Sequence, residues 1–291
     1  MSESVIADFV GKFNSDTMSQ PEPVKGRVLL SQKRLVLAAN AHDDKLTVPL
    51  SQIFDVAVGH IPENLGDFFS STVTVAFRRN GRRFTAAIEA DDEKIGKFST
   101  VLFKALLNGT QLTVKHPARV GGRVTDREFR GANLFLKPRG IQFKSADETV
   151  TIRLANVIGF ERLEREISGS ERPVLLVRHQ ANGRAYTTLA ATSSSRKMHL
   201  LSRYVRLEYS DLQEDLESVD LTDDKKRMLV AIYSTSQGMP LADILNKDAS
   251  EVTMLLNDLS EDDLIEDAPD GPTLTPKGRV VASNHLEDVN A

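Results

Sequence analysis

Six histidines are the residues of this chain best suited to hold a metal ion or to move protons: His42, His60, His116, His179, His199 and His285. No two of them stand at the spacing of paired metal ligands, and the chain has no cysteine to form a thiolate site, a disulfide or a nucleophile. The phosphate-binding Gly-Lys-Ser/Thr loop, the dinucleotide pattern Gly-x-Gly-x-x-Gly and a serine in a nucleophile elbow are missing as well. We therefore predict no catalytic residue, no metal site, no cofactor and no enzymatic activity.

A cluster of four arginines could bind an anionic surface. Arg78, Arg79, Arg82 and Arg83 flank Asn80-Gly81, a pair that favours a type I′ hairpin because both residues tolerate positive φ. One interpretation is an anion-binding hairpin tip for acidic lipid head groups or an acidic partner protein. The other is a solvated turn, where arginine opposes pairing between sheet edges.

The acidic residues gather at the opposite end of the chain. Residues 219–291 hold 15 Asp and Glu against 6 Lys and Arg, a net charge of −9, which leaves the rest of the chain at +5. The segment Ser250–Ser260 contains no Lys or Arg, so a DNA backbone would repel it and we expect no nucleic-acid partner. We predict that this segment and the residues directly after it bind a protein through their exposed side, with these residues in contact: Glu251, Met254, Asp258, Glu261 and Asp262.

The elements that carry these residues follow from an internal repeat. Three segments of the first half recur in the second: Val24–Val28 as Val120–Val124, Thr47–Ile53 as Thr151–Val157, and the hairpin at Asn80-Gly81 as the hairpin at Asn182-Gly183. Each copy contains β-prone runs and then an amphipathic helix, at Lys94–Leu107 and at about Ser194–Glu208. Strands followed by one terminal helix favour a pleckstrin-homology-like (PH-like) barrel or sandwich, with another small barrel as the alternative.

The end of the chain has a different pattern. Thr222 is positioned to cap a helix that runs through Tyr233, Leu241–Leu245 is a short second helix, and Ser250–Leu259 is a third. Two short strands around Pro269–Pro272 and a helix from Pro276 to about His285 follow. This order is typical of a winged helix-turn-helix.

The fold class is thus α+β and multidomain, with two PH-like domains followed by a winged-helix-like domain. We expect a lead-in helix at 1–20, β-domains at 21–110 and 117–210, an acidic linker at 211–218 and the acidic domain at 219–291. No apolar run approaches the ~20 residues of a membrane span, so we predict a cytoplasmic protein without integral membrane association. The amphipathic lead-in segment and the sheet edges favour a homodimer.

Several of these segments resemble the archaeal taxis protein family CheF. The resemblance rests on Lys25–Ser31, Arg34–Leu37 and Val48–Val56, and Thr275–Gly278 agrees with it. It implies a dimeric adaptor of archaeal motility, located at the base of the archaellum, that connects the phosphorylated response regulator CheY to the proteins of the motor switch complex. It also implies that the regulator binds the C-terminal region, and it transfers no catalytic residue.

Two other functions fit the same domain order. A transcription regulator would use the two β-domains as sensors and the third domain to bind DNA, which the acidic third helix argues against. A scaffold at a membrane surface would use the four arginines at the hairpin tip. Both contacts weaken as salt is raised, so liposome and DNA binding at two ionic strengths would separate these functions from the adaptor.

Overall fold

A computed structural model describes residues 4–19, 22–40, 44–66, 68, 70–181, 184–217, 221–234, 241–268, 271–275, 277–279 and 281–282. Two large antiparallel sheets dominate it, and the helices are few. No helix within these ranges is long and apolar enough to cross a membrane.

The first sheet and its helix form copy one, which spans Val5–Leu107. Its seven strands have the order β4-β3-β2-β1-β7-β6-β5. The strands are β1 Val5–Ser15, β2 Val24–Ser31, β3 Arg34–Ala39, β4 Lys45–Pro49, β5 Ile53–Val58, β6 Thr72–Arg79 and β7 Arg82–Glu89. Helix α1, Asp92–Leu107, follows β7 and is capped at its start, where the Asp91 carboxylate accepts a hydrogen bond from the Lys94 amide.

The prediction of a lead-in helix at 1–20 is wrong, because Val5–Ser15 is the central strand β1. Its apolar residues fit a helical period, but Phe13 is fully buried in the sheet and the Phe9 ring packs edge-on against Phe98 of α1, with centroids 5.3 Å apart. The neighbours β2 and β7 supply its backbone hydrogen bonds. Pairing with strands far along the chain therefore overrides the local pattern.

Copy two spans Thr110–Glu217 and repeats this architecture. Its strands are β8 Thr110–Val120, β9 Arg123–Val124, β10 Arg130–Lys137, β11 Gly140–Lys144, β12 Thr149–Arg153, β13 Val157–Ile167, β14 Ser170–Ala181 and β15 Arg184–Ala191. The order is β12-β11-β10-β8-β15-β14-β13, with β9 paired to β8 outside this path. Copy two thus begins at Thr110, not at residue 117, and only Asn108 and Gly109 separate it from α1.

Two of the three repeat segments occupy equivalent places. Thr47–Ile53 and Thr151–Val157 each leave an edge strand, pass through a 3-10 turn and enter the next strand. The second hairpin has its strands where the repeat predicts them, although Asn182 and Gly183 lie outside the described residues. The first segment is matched wrongly, because Val24–Val28 belongs to β2 whereas Val120–Val124 spans the end of β8, a turn and β9.

Helix α2, Ser195–Glu217, is longer than the pattern predicts. The acidic segment at 211–218 is therefore not a linker, since the helix continues through Glu217. The C-terminal unit follows, with α3 Asp223–Ser234, α4 Leu241–Leu245, α5 Ala249–Glu261, β16 Ile265–Ala268 and β17 Gly271–Leu274. The predicted tip at Pro269-Asp270 and most of the predicted last helix lie outside the described residues, although 277–279 and 281–282 are helical.

One hydrophobic core runs through both β-copies, while the C-terminal unit has its own. Phe103 of α1 and Tyr204 of α2 are each 1% exposed, and their rings pack with centroids 5.5 Å apart. The Tyr204 hydroxyl donates to the Lys137 carbonyl of β10 at 3.1 Å, and the Lys197 ammonium donates to the Leu106 carbonyl at the end of α1. The two helices thus join the two copies.

Candidate protein-interaction surfaces

The predicted partner-binding residues of the C-terminal unit lie along α5. This helix begins with a capping box, in which the Asp248 carboxylate accepts from the Glu251 amide at 2.8 Å and the Glu251 carboxylate accepts from the Asp248 amide at 3.1 Å. Val252 and Leu259 are buried, and Leu255 and Leu256 are half-buried against the same core. At spacings of three and four residues, the opposite side presents a stripe, which we call the acidic stripe: Glu251, Met254, Asp258 and Glu261.

Met254 is the apolar centre of the acidic stripe. Its side chain is 66% exposed, the second-highest value among the exposed large hydrophobic residues, and acids flank it on both sides. Ile244 on α4 is also exposed, at 43%. Exposed apolar groups within a charged rim are typical of a surface that binds another protein.

Two lysines reduce the charge of this surface in a way that the sequence does not reveal. Lys225 of α3 contacts Asp262 at 2.8 Å and Asp258 at 3.9 Å, and its side chain is only 15% exposed. Lys247 contacts Asp224 at 2.9 Å and Glu251 at 3.7 Å, and the hydrogen bond with Asp224 raises the pKa of Lys247. Asp258 and Asp262 are half-buried and hold the unit together, which leaves Met254 and Glu261 as the most accessible members of the predicted set.

The arginine hairpin, formed by β6 and β7 of copy one, has the predicted turn. Asn80 and Gly81 have φ values of 51° and 76°, and the strands place Arg78 opposite Arg83 and Arg79 opposite Arg82. Like charges directly opposite each other destabilise a sheet. The ring of Phe54 on β5 offsets this repulsion, because the guanidinium carbons of Arg78 and Arg83 lie 5.5 and 5.7 Å from its centroid.

All four arginines are exposed, and none pairs with an acid within the described ranges. Because Arg78 and Arg83 pack on the ring of Phe54, Arg79 and Arg82 are the arginines that project at the tip. The contact of the arginines with Phe54 was not predicted from the sequence. Phe54 follows Ile53, the first residue of β5, and β5 is the strand next to the hairpin.

The corresponding hairpin of copy two contacts the C-terminal unit instead. The Gln180 side-chain amide of β14 donates to the Tyr233 hydroxyl of α3, and Ala155, in the turn before β13, is part of the hydrophobic core of the C-terminal unit. The contacts that the described residues show for this unit are thus with copy two. The arginine hairpin of copy one remains available to another partner.

Charged residues also fasten α2 of copy two to β5 of copy one. The Arg203 guanidinium donates to both oxygens of Asp55, at 3.1 and 3.2 Å, and His199 Nε2 lies 3.0 Å from the same carboxylate. The Arg196 guanidinium donates to the backbone carbonyls of Leu50 and Ile53 at 3.3 and 2.6 Å. Burial of the Arg196 guanidinium lowers the pKa of this group. These contacts fix the relative position of the two copies.

Sequence reasoning also missed a pair of histidines inside copy two. His116 Nδ1 and His179 Nε2 lie 2.8 and 3.1 Å from the Thr188 hydroxyl, and the two rings stack with centroids 5.7 Å apart. Burial, with a smaller contribution from the charge of His116, lowers the pKa of His179 to about 4. No group of three or more His, Asp or Glu residues that could hold a metal exists in the described part of the chain.

Comparison with known proteins gives these surfaces a context. The family model "Archaeal Chemotaxis signal transduction system protein F" matches residues 5–211, which begins at β1 and ends within α2. "Taxis protein CheF2" of Halobacterium salinarum is 48% identical over 290 residues, which cover 100% of both chains. "Taxis protein CheF1" of the same organism is 31% identical over 300 residues, with 99% of each chain covered.

The family match covers both β-copies, and the two relatives align over the C-terminal unit as well. The relatives are taxis proteins, which implies a role in chemotaxis signalling, and their names are those of signalling proteins rather than enzymes. The resemblance seen in the sequence is confirmed: this chain belongs to the archaeal CheF family of chemotaxis signal transduction proteins.

Proposed function

We propose that this chain is a non-enzymatic adaptor of archaeal taxis, which links the phosphorylated response regulator CheY to the switch complex at the cytoplasmic base of the archaellum. The observation that carries the proposal is the presence of two exposed surfaces of opposite charge on separate units. The arginine hairpin lies on copy one, and the acidic stripe lies on the C-terminal unit. An adaptor must hold two partners at once, and two such surfaces can select two different partners.

In this proposal each β-copy is a PH-like unit and the C-terminal unit is winged-helix-like. Seven strands in the same order, closed by one helix, support the first assignment. Three helices followed by a β-hairpin support the second. A DNA-binding role for the C-terminal unit is disfavoured because its third helix is acidic and carries no Lys or Arg.

The activated regulator docks on the acidic stripe. Met254 supplies an adaptable apolar contact, and Glu261 with Glu251 steers a basic face of the partner toward it. The arginine hairpin meets an anionic surface of the switch complex through Arg79 and Arg82. The protein acts as a homodimer. Among the described residues of β1, Lys12–Ser15 pair with β7 and the first half of the strand does not, and Val5 and Val10 in that half are 53% and 51% exposed.

The first test compares binding of the activated and the unphosphorylated regulator by titration calorimetry. The variant Met254→Ser with Glu261→Lys should weaken binding of the activated regulator at least ~10-fold, about 1.4 kcal/mol, and reduce the dependence of the affinity on salt, because one attractive charge is removed. Asp258 and Asp262 are left intact because Lys225 pairs with both.

The matched control is Met254→Ser with Asp267→Lys, which makes the same charge change but moves the new lysine to the β16–β17 hairpin. A similar loss of affinity in both variants would show that Glu261 does not contribute to binding of the regulator. Equal binding of the two regulator forms to the unmodified protein would contradict the adaptor function itself.

The second test addresses the arginine hairpin. Arg79→Glu with Arg82→Glu should abolish capture of the switch complex and leave binding of the regulator unchanged, because the two surfaces lie on different units. Arg184→Glu, on the corresponding hairpin of copy two, is the control. If the double variant captures the switch complex as well as the unmodified protein does, the hairpin is not part of the interface with the motor.

A further inference from the structure

Strand β13 forms a free edge of the sheet in copy two. It ends the strand order on one side, and in the part of the chain that the structure describes its only partner strand is β14. An edge strand presents a row of backbone amide and carbonyl groups that can pair with a strand of another chain. The outer side of β13 is therefore a candidate surface for a second protein chain.

The equivalent edge of copy one is shorter and is covered. Both edge strands have a bulge near their start, so Ile53–Val58 of β5 corresponds to Val157–Arg162 of β13. Helix α2 packs on β5, where the Arg196 guanidinium donates to the Ile53 carbonyl at 2.6 Å. The contacts of copy two with the C-terminal unit lie near the start of β13. The rest of this strand, Leu163–Ile167, extends beyond the part that β5 matches.

The charges of β13 alternate around one leucine, in the order Glu161, Arg162, Leu163, Glu164 and Arg165. All four charged residues are exposed, and Leu163 is half-buried. Successive side chains of a strand point to opposite faces, so one acid and one arginine lie on each face of the sheet. At equal distances on either side of Leu163, the two residues always have opposite charges.

Strand β14 does not neutralise these charges. Glu161, Arg162 and Glu164 each stand opposite an apolar residue of β14. Arg165 stands opposite Arg172, and like charges directly opposite each other destabilise a sheet. Arg162 and Glu164 contact each other along the strand at 3.8 Å, which is an exposed pair of little strength. Copy two therefore leaves most of the charge on this edge without compensation.

We propose that β13 pairs antiparallel with β13 of a second copy of this chain, with a two-fold axis at Leu163. Such an isologous contact sets Leu163 opposite Leu163 of the partner subunit. Glu161 then stands opposite Arg165 of the partner subunit, and Arg162 stands opposite Glu164 of the partner subunit. All four charged residues gain an opposite charge across the new pair of strands. This interface rests on the homodimer of the proposed function and specifies which edge forms it.

The free half of β1 is the other edge that a homodimer could use. Its residues without a partner on β7, Val5–Gly11, have the acid Asp8 at their centre. Antiparallel pairing centred there sets Asp8 opposite Asp8 of the partner subunit, which is unfavourable. The same arrangement of β13 brings opposite charges together, so β13 is the better edge for pairing of two identical chains.

Charge reversal on β13 tests this interface by sedimentation and light scattering of the full-length protein. Arg162→Glu with Arg165→Glu makes every charged pair acidic and should raise the dissociation constant of the dimer at least ~10-fold. Glu161→Arg with Glu164→Arg makes every pair basic and should do the same. An equimolar mixture of the two variants should form a heterodimer, because each glutamate then faces an arginine.

The matched control for the acidic variant is Arg123→Glu with Arg153→Glu. Both arginines are exposed on other strands of copy two, and the charge change is the same. This control should change the dissociation constant less than ~2-fold. Dimers of equal strength in the control and in both charge variants would overturn the interface and leave the homodimer standing.

A disulfide at the two-fold axis gives a second test, which still decides if a charge variant fails to fold. The chain has no cysteine, so Leu163→Cys introduces a single thiol. Directly opposite residues of antiparallel strands have Cα atoms about 4.5–5.5 Å apart, within the range that a disulfide spans. Mild oxidation should link Leu163→Cys into covalent dimers, whereas Ser170→Cys, at the exposed tip of the same hairpin, should stay unlinked.

Equal linking of the two cysteine variants would overturn the interface. A monomer of the unmodified protein at ~50 μM would overturn both the interface and the proposed homodimer. Binding of the activated regulator to the acidic stripe is measured separately by calorimetry and should stay unchanged in the β13 variants, because the stripe lies on another unit. Failure of the interface is thus distinguishable from failure of the adaptor function.

Discussion

Removal of the Phe103 ring tests whether the two β-copies unfold as one body. Phe103 belongs to copy one, is 1% exposed and packs on Tyr204 of copy two with centroids 5.5 Å apart. Phe to Ala changes in cores cost about 3–5 kcal/mol, of which an aromatic pair accounts for about 0.5–1.5 kcal/mol. Against a typical stability of about 5–15 kcal/mol, Phe103→Ala should remove at least about a fifth of the free energy of unfolding.

The assay is urea denaturation together with amide hydrogen exchange in β3 of copy one and β11 of copy two. Because the core is shared, Phe103→Ala should lower protection equally in both strands. Tyr204→Phe removes the hydroxyl, which donates to the Lys137 carbonyl and also interacts with Glu208, and should cost at least about 0.5–1.5 kcal/mol. Phe84→Ala, at a half-buried ring of copy one, should cost less than Phe103→Ala. Two separate unfolding transitions, or loss of protection in β3 alone, would refute the shared core.

Three further outcomes are expected. The pKa of His179 is about 4 in the folded protein against about 6.5 in the unfolded chain, so the unfolded chain takes up its proton first as the pH falls. The contribution of His179 to the free energy of unfolding is therefore complete above pH 6.5 and falls by about 3 kcal/mol as the pH drops to 4. His179→Leu should flatten this pH dependence, measured by urea titrations at about pH 5 and 7. Asp55→Ala breaks the contacts with Arg203 and His199 and should lower the free energy of unfolding by about 1–3 kcal/mol. The control Asp8→Asn, at an exposed ion pair, should change the melting temperature little. Equal effects of the two changes would show that Asp55 does not fasten the two copies together. Gly278→Ala would place its Cβ 1.9 Å from the Leu264 carbonyl oxygen. We therefore expect a loss of stability near the top of the ~1–3 kcal/mol range of overpacked cores, and faster hydrogen exchange of the α5 amides. Unchanged hydrogen exchange in α5 would rule out this close packing of Gly278 on Leu264.

Features set by local chemistry are those that the sequence predicts well. Asn80-Gly81 specifies its hairpin because only positive φ fits the turn, and Thr222 accepts from the Lys225 amide at 3.3 Å, as a cap of α3 should. The exposed and buried sides of α5 also follow from spacing alone.

Features set by distant contacts are those that the sequence misses. Val5–Ser15 has helical spacing, yet pairing with β2 and β7 makes it a strand. His116 and His179 are far apart in the sequence, and only the sheet brings both to Thr188. The same holds for Lys225, whose contacts with Asp258 and Asp262 make two predicted binding residues structural as well.

The duplication explains how one fold presents different surfaces. Equivalent hairpins end in Gln180 and Ala181 in copy two, where the C-terminal unit packs, and in Arg78 and Arg79 in copy one, where the charged tip is exposed. The shared core can keep the copies in register while these surface positions differ, because core and surface substitutions act on stability almost independently. The hairpin that is covered in copy two therefore remains accessible in copy one, which is the asymmetry that an adaptor with different partners requires.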